Sequence, residues 1–203
     1  MNTPSDADNP FRQTEYVLAA HYLRQLPADT GWEVAIAGRS NAGKSSALNV
    51  LTGQKSLART SKTPGRTQQI VIFQVDEERR LADLPGYGYA KVPLELKAHW
   101  QTVMQGYFDT RESLRGVVLV VDIRHPPKPF DEMMLDWCAQ TGLPCHVLLT
   151  KADKLKRGPA QSALLKLRRR LPEGASAQVF SAKNRQGLGE WLAVMRRWYG
   201  LDD

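Results

Sequence analysis

The sequence predicts an α/β fold in which helices cover both faces of a mainly parallel sheet. Two observations carry this expectation. From residue 117 onward, short aliphatic runs alternate with stretches of helical periodicity, and that alternation calls for crossover helices between parallel strands. Earlier, Gly38-Arg39-Ser40-Asn41-Ala42-Gly43-Lys44-Ser45 fits the pattern G-x-x-x-x-G-K-[ST], followed by Ser46. It lies between an apolar run (Trp32, Val34, Ala35, Ile36, Ala37) that reads as a buried strand and a run from Ser46 to Leu51 that reads as a helix. This is a phosphate cradle: the glycines let backbone N–H groups turn onto a polyphosphate, the helix N-terminus adds partial positive charge, Lys44 spans the terminal phosphates, and the Ser45 hydroxyl can ligate Mg²⁺.

The other elements follow in order. Residues 1–10 contain no basic cluster followed by an apolar segment, so they read as a disordered lead-in to a single domain over residues 11–203. Tyr16, Val17, Ala20, Leu23 and Leu26 recur at helical spacing before Pro27, which predicts a helix ahead of the first strand. After the phosphate loop, residues 53–67 are polar, basic and broken by Pro64-Gly65, a long loop with few anchoring groups and a candidate switch. Ile70 to Val75 and Arg80 to Ala82, separated by Asp76-Glu77-Glu78, read as an antiparallel hairpin. Pro93 opens a helix to about Glu112 with Leu96, Trp100, Val103, Met104 and Tyr107 on one face. Strands at Val117 to Val121, Cys145 to Leu149 and Gln178 to Phe180 then alternate with helices at Phe130 to Ala139, Ala160 to Leu171 and Leu188 to Tyr199.

Composition narrows the class. The chain has 203 residues, 42% of them hydrophobic, enough for one ordinary core. Its longest unbroken aliphatic run, Val117 to Val121, is far too short to span a bilayer, and a cytoplasmic protein that does not engage membrane is expected. Cys138 and Cys145 show no metal-ligand spacing and read as buried free thiols. The net charge of +7 is uneven: residues 1–150 carry 16 Lys/Arg against 16 Asp/Glu, and residues 151–203 carry 12 against 5. A basic excess of that kind attracts phosphate polymers, and Lys55, Arg59, Lys62 and Arg66 add a second basic run.

Further motifs fall at strand ends, where open α/β sheets bind ligands. Asp83-Leu84-Pro85-Gly86 puts a carboxylate where it can hold Mg²⁺ through water and a glycine N–H where it can approach a γ-phosphate. Thr150-Lys151-Ala152-Asp153 follows an apolar strand; its aspartate can accept from the N1–H and exocyclic amine of guanine, a pattern adenine lacks, while the Lys151 stem lies along the base. Ser181-Ala182-Lys183 ends the last strand, where a backbone N–H can donate to guanine O6. A phosphate-transferring kinase is disfavoured by the guanine motif and by the absence of a lid-like arginine cluster.

The set GRSNAGKSS, SKTPGRTQ, DLPGYGYAK, TKADK and FSAK resembles the translation-factor-like GTPases. Most closely it resembles the EngB (YihA/YsxC) family within the TrmE-Era-EngA-YihA-Septin-like superfamily, over residues 10–200 or so. The resemblance implies a Ras-like P-loop GTPase domain with a six-stranded sheet, binding GTP and GDP with Mg²⁺. Residue by residue it implies that Gly38 to Ser46 is the phosphate loop and that Gly65-Arg66-Thr67-Gln68-Gln69 carries the first switch. Thr67 there ligates Mg²⁺ with Ser45 and Asp83, and Thr63 in the same loop is a rival. Asp83 to Gly86 becomes the second switch, Thr150 to Asp153 the guanine clamp and Phe180-Ser181-Ala182 the loop at the base edge. It further implies a switch in assembly of the large ribosomal subunit, with ribosomal RNA and protein as partners, no DNA, a monomeric state and a link to division septum formation.

Familiar GTPases orient the attacking water with a glutamine just after D-x-x-G. Here Tyr87 stands there, on the sequence Gly86-Tyr87-Gly88-Tyr89 that reads as a mobile loop. A phenol lacks an amide's paired donor and acceptor, so slow intrinsic turnover is expected, with Lys44, Thr67, Gly86 and Asn41 as the catalytic set. Asn41 matches the residue that helps hold K⁺ in potassium-stimulated relatives such as the MnmE family. A nucleotide-sensing binding module with incidental hydrolysis is the competing reading.

Overall fold

The structure, a computed structural model, describes residues 9–58, 69–87 and 94–201. Strands β1 (Glu15–Ala20), β2 (Trp32–Gly38), β3 (Ile70–Gln74), β4 (Arg79–Asp83), β5 (Leu114–Asp122), β6 (Cys145–Thr150) and β7 (Ala175–Val179) form one sheet. Its order is β1-β3-β4-β2-β5-β6-β7. Neighbours from β4 across β2 and β5 to β7 pair in parallel, and β1–β3 and β3–β4 pair antiparallel. The hairpin expected at Ile70 to Ala82 is therefore present. Five helices follow the expected alternation: α1 (Lys44–Leu51), α2 (Leu94–Thr110), α3 (Pro129–Thr141), α4 (Arg157–Arg168) and α5 (Leu188–Trp198). Pro93 and the side chains of Leu96 and Trp100 lie outside the described residues.

Alternating residues on the central strands divide the core in two. Ala35, Ala37, Val117, Leu119 and Val121 point to the side covered by Tyr107 of α2, Met134 and Cys138 of α3 and Leu164 of α4. Val34, Ile36, Val118 and Val120 point to the side covered by Leu48 and Leu51 of α1 and by Trp191 and Met195 of α5. Period-two alternation across a parallel sheet buried on both faces accounts for the unbroken aliphatic run in β5. Cys138 and Cys145 are buried free thiols, as expected.

The start of the chain departs from expectation. In place of a helix over residues 11–26 there is a short 3₁₀ turn (Pro10–Gln13), then β1, then a second 3₁₀ turn (Leu23–Gln25). β1 is an edge strand with Tyr16 58% and Val17 41% exposed, and its register against β3 shifts between Tyr16 and Leu18. A bulge there breaks the period-two signal, and the remaining apolar residues match a helical spacing by coincidence. This strand makes the sheet seven-stranded where six were expected. Asn9, expected in the disordered lead-in, is buried, its side chain accepting from the Phe11 N–H and donating to the Leu51 carbonyl at 2.7 Å, and residues 1–8 lie outside the described residues.

A buried polar pair joins β6 and β7. His146 Nδ1 lies 2.8 Å from the Ser176 hydroxyl and Nε2 lies 2.9 Å from Gln178 Oε1, while Gln178 Nε2 donates to Gly187 O at 2.6 Å. Gly187, at the start of α5, has φ +79°, and a Cβ there would meet Val179 O at 2.2 Å, so only glycine closes this turn. Burial lowers the His146 pKa from 6.5 to about 4. Between those values the unfolded chain binds a proton that the folded chain does not. Stability is therefore full above pH 6.5 and falls as pH drops toward 4, by up to about 3 kcal/mol. Urea denaturation across this range will show the loss, and His146→Gln will flatten it.

Candidate nucleotide site

β2 ends at Gly38, where a Cβ would meet Val120 O at 2.6 Å, so the strand can leave the sheet beside β5 only as glycine. The chain then reverses through Asn41 (φ 61°) and Gly43 (φ 102°) and enters α1 at Lys44 without a side-chain cap. The Ala47 N–H is bonded to Gly43 O, and the amides of the preceding first turn have no carbonyl upstream, the arrangement that receives an anion. Turning amides inward sends carbonyls outward, and those are satisfied from β6 and its continuation. The Thr150 hydroxyl donates to Ala42 O, and Lys151 Nζ donates to Asn41 O at 2.6 Å. Lys151 (φ 59°) also pairs with Asp122 at 2.9 Å. Asp122 is held well below the usual carboxylate range: the Arg124 and Lys151 hydrogen bonds outweigh the opposing effect of burial.

Asp83, at the end of β4, lies 3.6 Å from Lys44 Nζ. That is too long for a hydrogen bond, and its buried Oδ1 accepts none among the described residues. Burial raises its pKa, with Lys44 opposing. Beyond it Leu84 is buried in the core, its N–H donating to Ile36 O at 3.0 Å. Gly86 approaches the phosphate loop so closely that a Cβ would lie 3.2 Å from the Ser40 backbone. The Ser40 N–H donates to Tyr87 O at 3.0 Å, and Arg39 and Tyr87 form an isolated parallel bridge.

Tyr87 corrects the expectation of a mobile residue. It is 6% exposed, its hydroxyl donates to the buried Asp131 carboxylate, and its ring lies 4.2 Å from that of Phe130. Burial and the neighbouring carboxylate both push its pKa up. The aromatic pair and the buried acceptor on α3 hold it down, and the phenol is committed to Asp131.

Thr150-Lys151-Ala152-Asp153 continues β6 into a 3₁₀ turn. Asp153 Oδ1 accepts from the Ser181 hydroxyl at 2.6 Å, which lowers its pKa most. The Ala152 N–H donates to Phe180 O at 3.1 Å, joining the two loops. Phe180 itself is fully buried with its ring 5.4 Å from Trp191, so its side chain serves the core while its backbone shapes the loop. A cavity of about 500 Å³ opens between these loops and α1, lined among others by Gly43, Ser46, Lys151, Asp153, Ala182 and Lys183. Its floor offers donors, a carboxylate and backbone amides to a base and its phosphates.

Gly65, Arg66, Thr67 and Gln68 of the first switch, and the rival Thr63, lie outside the described residues. Gln69 is described, its side chain 2.7 Å from the His21 ring. The start of the preceding loop is anchored, contrary to expectation: Asn49 accepts from the Ala58 N–H at 2.8 Å and donates to Ala58 O at 3.0 Å. Gln54 Nε2 donates to Thr14 O at 2.7 Å. Sequence reasoning missed Asn49, Asp122 and Asp131; their only signal was a polar residue on or beside an otherwise apolar element. Among the described residues no group of three His, Cys, Asp or Glu could hold a metal by itself, and no helix is long and apolar enough to cross a membrane.

Comparison with known proteins agrees with this geometry. A family model described as 50S ribosome-binding GTPase matches residues 33–151, which makes the chain a P-loop GTPase that binds GTP and GDP. More narrowly, the chain belongs to the EngB family. It is 58% identical over 196 residues to the probable GTP-binding protein EngB of Xanthomonas euvesicatoria pv. vesicatoria, covering 95% of each chain. It is equally identical to the protein of that name from Stenotrophomonas maltophilia, covering 95% of this chain and 98% of that one. The crystal structure of a probable GTP-binding protein engB superposes with a TM-score of 0.67 at 23% identity, covering 84% of this chain and all of that one, and so shares the fold.

The burial of Tyr87 has a measurable consequence. Tyr87→Gln places an amide in the same buried slot, so GTP turnover is expected not to rise. Thermal unfolding will show a loss of about 1–3 kcal/mol, because Asp131 is left without its phenol donor. An increase in turnover would mean that the side chain reaches the water after all.

Proposed function

We propose that this protein is a GTP-dependent switch in assembly of the large ribosomal subunit, acting in the cytoplasm as a monomer on ribosomal RNA and protein. The observation that carries the nucleotide part is the joining of the phosphate loop to the guanine loop through Thr150 and Lys151. The same assignment makes Gly38 to Ser46 the phosphate ligands, Asp153 the acceptor for the guanine N1–H and amine, and the Phe180-Ser181-Ala182 backbone the donor at O6. Support for an RNA-rich partner comes from the basic excess of residues 151–203 and from the description of the family model. A link to septum formation follows from the family resemblance and is read as a consequence of the assembly role.

The residues fit Mg²⁺, because Asp83 presents a buried oxygen that accepts no hydrogen bond among the described residues, beside Lys44. A cation or its water meets that unspent acceptor. Ser45, in the first turn of α1, and Asp83 would hold the ion, with Thr67 contributing from outside the described residues. When bound, Mg²⁺ neutralises charge on the phosphates. Lys44 and the Gly86 N–H act on the terminal phosphate, and with the Tyr87 phenol committed to Asp131 intrinsic hydrolysis is slow. Asn41 is a proposed K⁺ ligand. Its carbonyl is engaged by Lys151 and its exposed side chain makes no hydrogen bond among the described residues, so the amide is available to a cation.

The burial of Tyr87 also favours a second reading, a binding module that senses nucleotide while hydrolysis is incidental. Co-sedimentation with isolated large subunits separates these readings from simple charge attraction. Retention that is stronger with a non-hydrolysable GTP analogue than with GDP and survives moderate salt is expected, and turnover stimulated by the subunits selects the switch. Retention indifferent to nucleotide and lost with salt would refute the ribosomal assignment.

Two further outcomes test the site. Asp153→Asn is expected to weaken GDP binding by at least ten-fold, since it replaces a charged acceptor of two base donors, each bond to a charged group being worth about 1.5–3 kcal/mol. Titration calorimetry will measure it. Replacing Na⁺ by K⁺ is expected to raise turnover of the wild type and not of Asn41→Ala; equal rates in both salts would remove the K⁺ assignment.

A further inference from the structure

A second cavity, of about 260 Å³, lies between Arg39 to Ala42 of the phosphate loop and the segment that joins β5 to α3. It shares only Lys151 with the cavity assigned to the nucleotide. Four cationic side chains, Arg39, Arg124, Lys128 and Lys151, line it against two carboxylates, Asp122 and Asp131. Both carboxylates are already engaged. Asp122 is paired with Arg124 at 2.7 Å and Lys151 at 2.9 Å, and Asp131 accepts from the Tyr87 hydroxyl and, at 2.8 Å, from the Lys128 N–H. No described carboxylate lies within ion-pairing distance of the Arg39 or Lys128 side chain. The cavity therefore holds two uncommitted cations and, at its exposed rim, His125.

We propose that this cavity binds a phosphate group of an RNA backbone, with the Arg39 guanidinium and the Lys128 ammonium as its partners. A forked guanidinium and a point-like ammonium are the usual pair of phosphate donors. The choice of a polymer over a free anion rests on exposure. Arg124, His125 and Lys128 are all exposed, so a single small anion gains little there, whereas a polyanion adds counterion release and contacts with neighbouring basic groups. The same walls are tied to the second switch: the backbone of Arg39 and Ser40 pairs with that of Tyr87, and the Tyr87 hydroxyl and the Lys128 N–H meet on Asp131. RNA held here is thereby coupled to the segment that follows Asp83-Leu84-Pro85-Gly86, and the coupling is reciprocal. This inference rests on the RNA-rich partner proposed above.

The test is fluorescence anisotropy of a labelled short single-stranded RNA with the GDP-loaded full chain, at several salt concentrations. Wild type is compared with His125→Ala/Lys128→Ala, with Lys128→Arg and with Arg169→Ala/Arg170→Ala in the basic segment that follows α4, outside the cavity lining. The first double variant is expected to weaken RNA binding roughly ten-fold at low salt and to reduce the slope of log affinity against log salt by about one. GDP affinity should not change, and Lys128→Arg should retain RNA binding. Undiminished binding in His125→Ala/Lys128→Ala, with loss confined to Arg169→Ala/Arg170→Ala, would place the RNA elsewhere and overturn the cavity assignment while leaving an RNA partner in place. If inorganic phosphate shifts the Lys128 amide resonance in wild type and the RNA does not, the site takes a free anion and the RNA assignment falls. If wild type binds no RNA yet sediments with large subunits, this inference fails and the ribosomal reading stands; failure of both removes both.

Discussion

A turn that aims its amides at an anion must aim carbonyls the other way, and those carbonyls need donors from elsewhere in the fold. Here the donors are Thr150 and Lys151, reaching Ala42 O and Asn41 O from the end of β6. Two strands away in the sheet order, the phosphate loop is completed by the residues that begin the guanine motif. The phosphate-loop motif and the guanine motif are consequently one construction. Moving β6 relative to β2 would leave the buried Ala42 carbonyl unpaired, at a cost of about 1–3 kcal/mol, and would break the exposed contact of Lys151 to Asn41 O, so the packing of β5 between them sets the spacing of these contacts.

The two ends of the central strands treat charge in opposite ways. At the start of β2, Glu33 is fully buried and satisfied: the Tyr107 hydroxyl donates to it at 2.7 Å and Arg111 at 3.0 and 2.9 Å, with Arg80 close by at 3.6 Å. Removing one member of such a cluster costs several kcal/mol because the rest stay buried. Near the other end, Asp83 is buried beside Lys44 with an oxygen that accepts no hydrogen bond among the described residues. Glu33 is thus satisfied, although the Arg80 Nε beside it is buried with no hydrogen-bond partner among the described residues, while the Asp83 oxygen leaves folding without its hydrogen-bond energy.

Tyr87 joins site to scaffold. Its backbone is paired with Arg39 and Ser40, and its side chain is held by Phe130 and Asp131. The first residue after Gly86 is therefore pinned through both its backbone and its side chain, and its displacement would disturb Asp131 and Phe130 of α3. The anchoring of Ala58 by Asn49 does the same at the start of the first switch. Both segments are therefore held at fixed posts where they leave the described elements.

Much of this protein was legible in its sequence, because the governing constraints are local. Gly38 and Gly43 are required by backbone geometry, the alternation of β5 by burial on two faces, and the spacing G-x-x-x-x-G-K-S by the shape of a phosphate, so strand, turn and helix could be read without any partner in view. What escaped depends on groups distant along the chain. β1 reads as a helix in the sequence because its bulge hides the alternation and only β3 defines its register. Tyr87 reads as a mobile residue because its acceptor, Asp131, is 44 positions away. Periodicity and motif spacing determined the class and the ligand groups. Pairings across the sheet decided which side chains are free to act, since burial and hydrogen-bond satisfaction are properties of contacts that no single stretch of sequence contains.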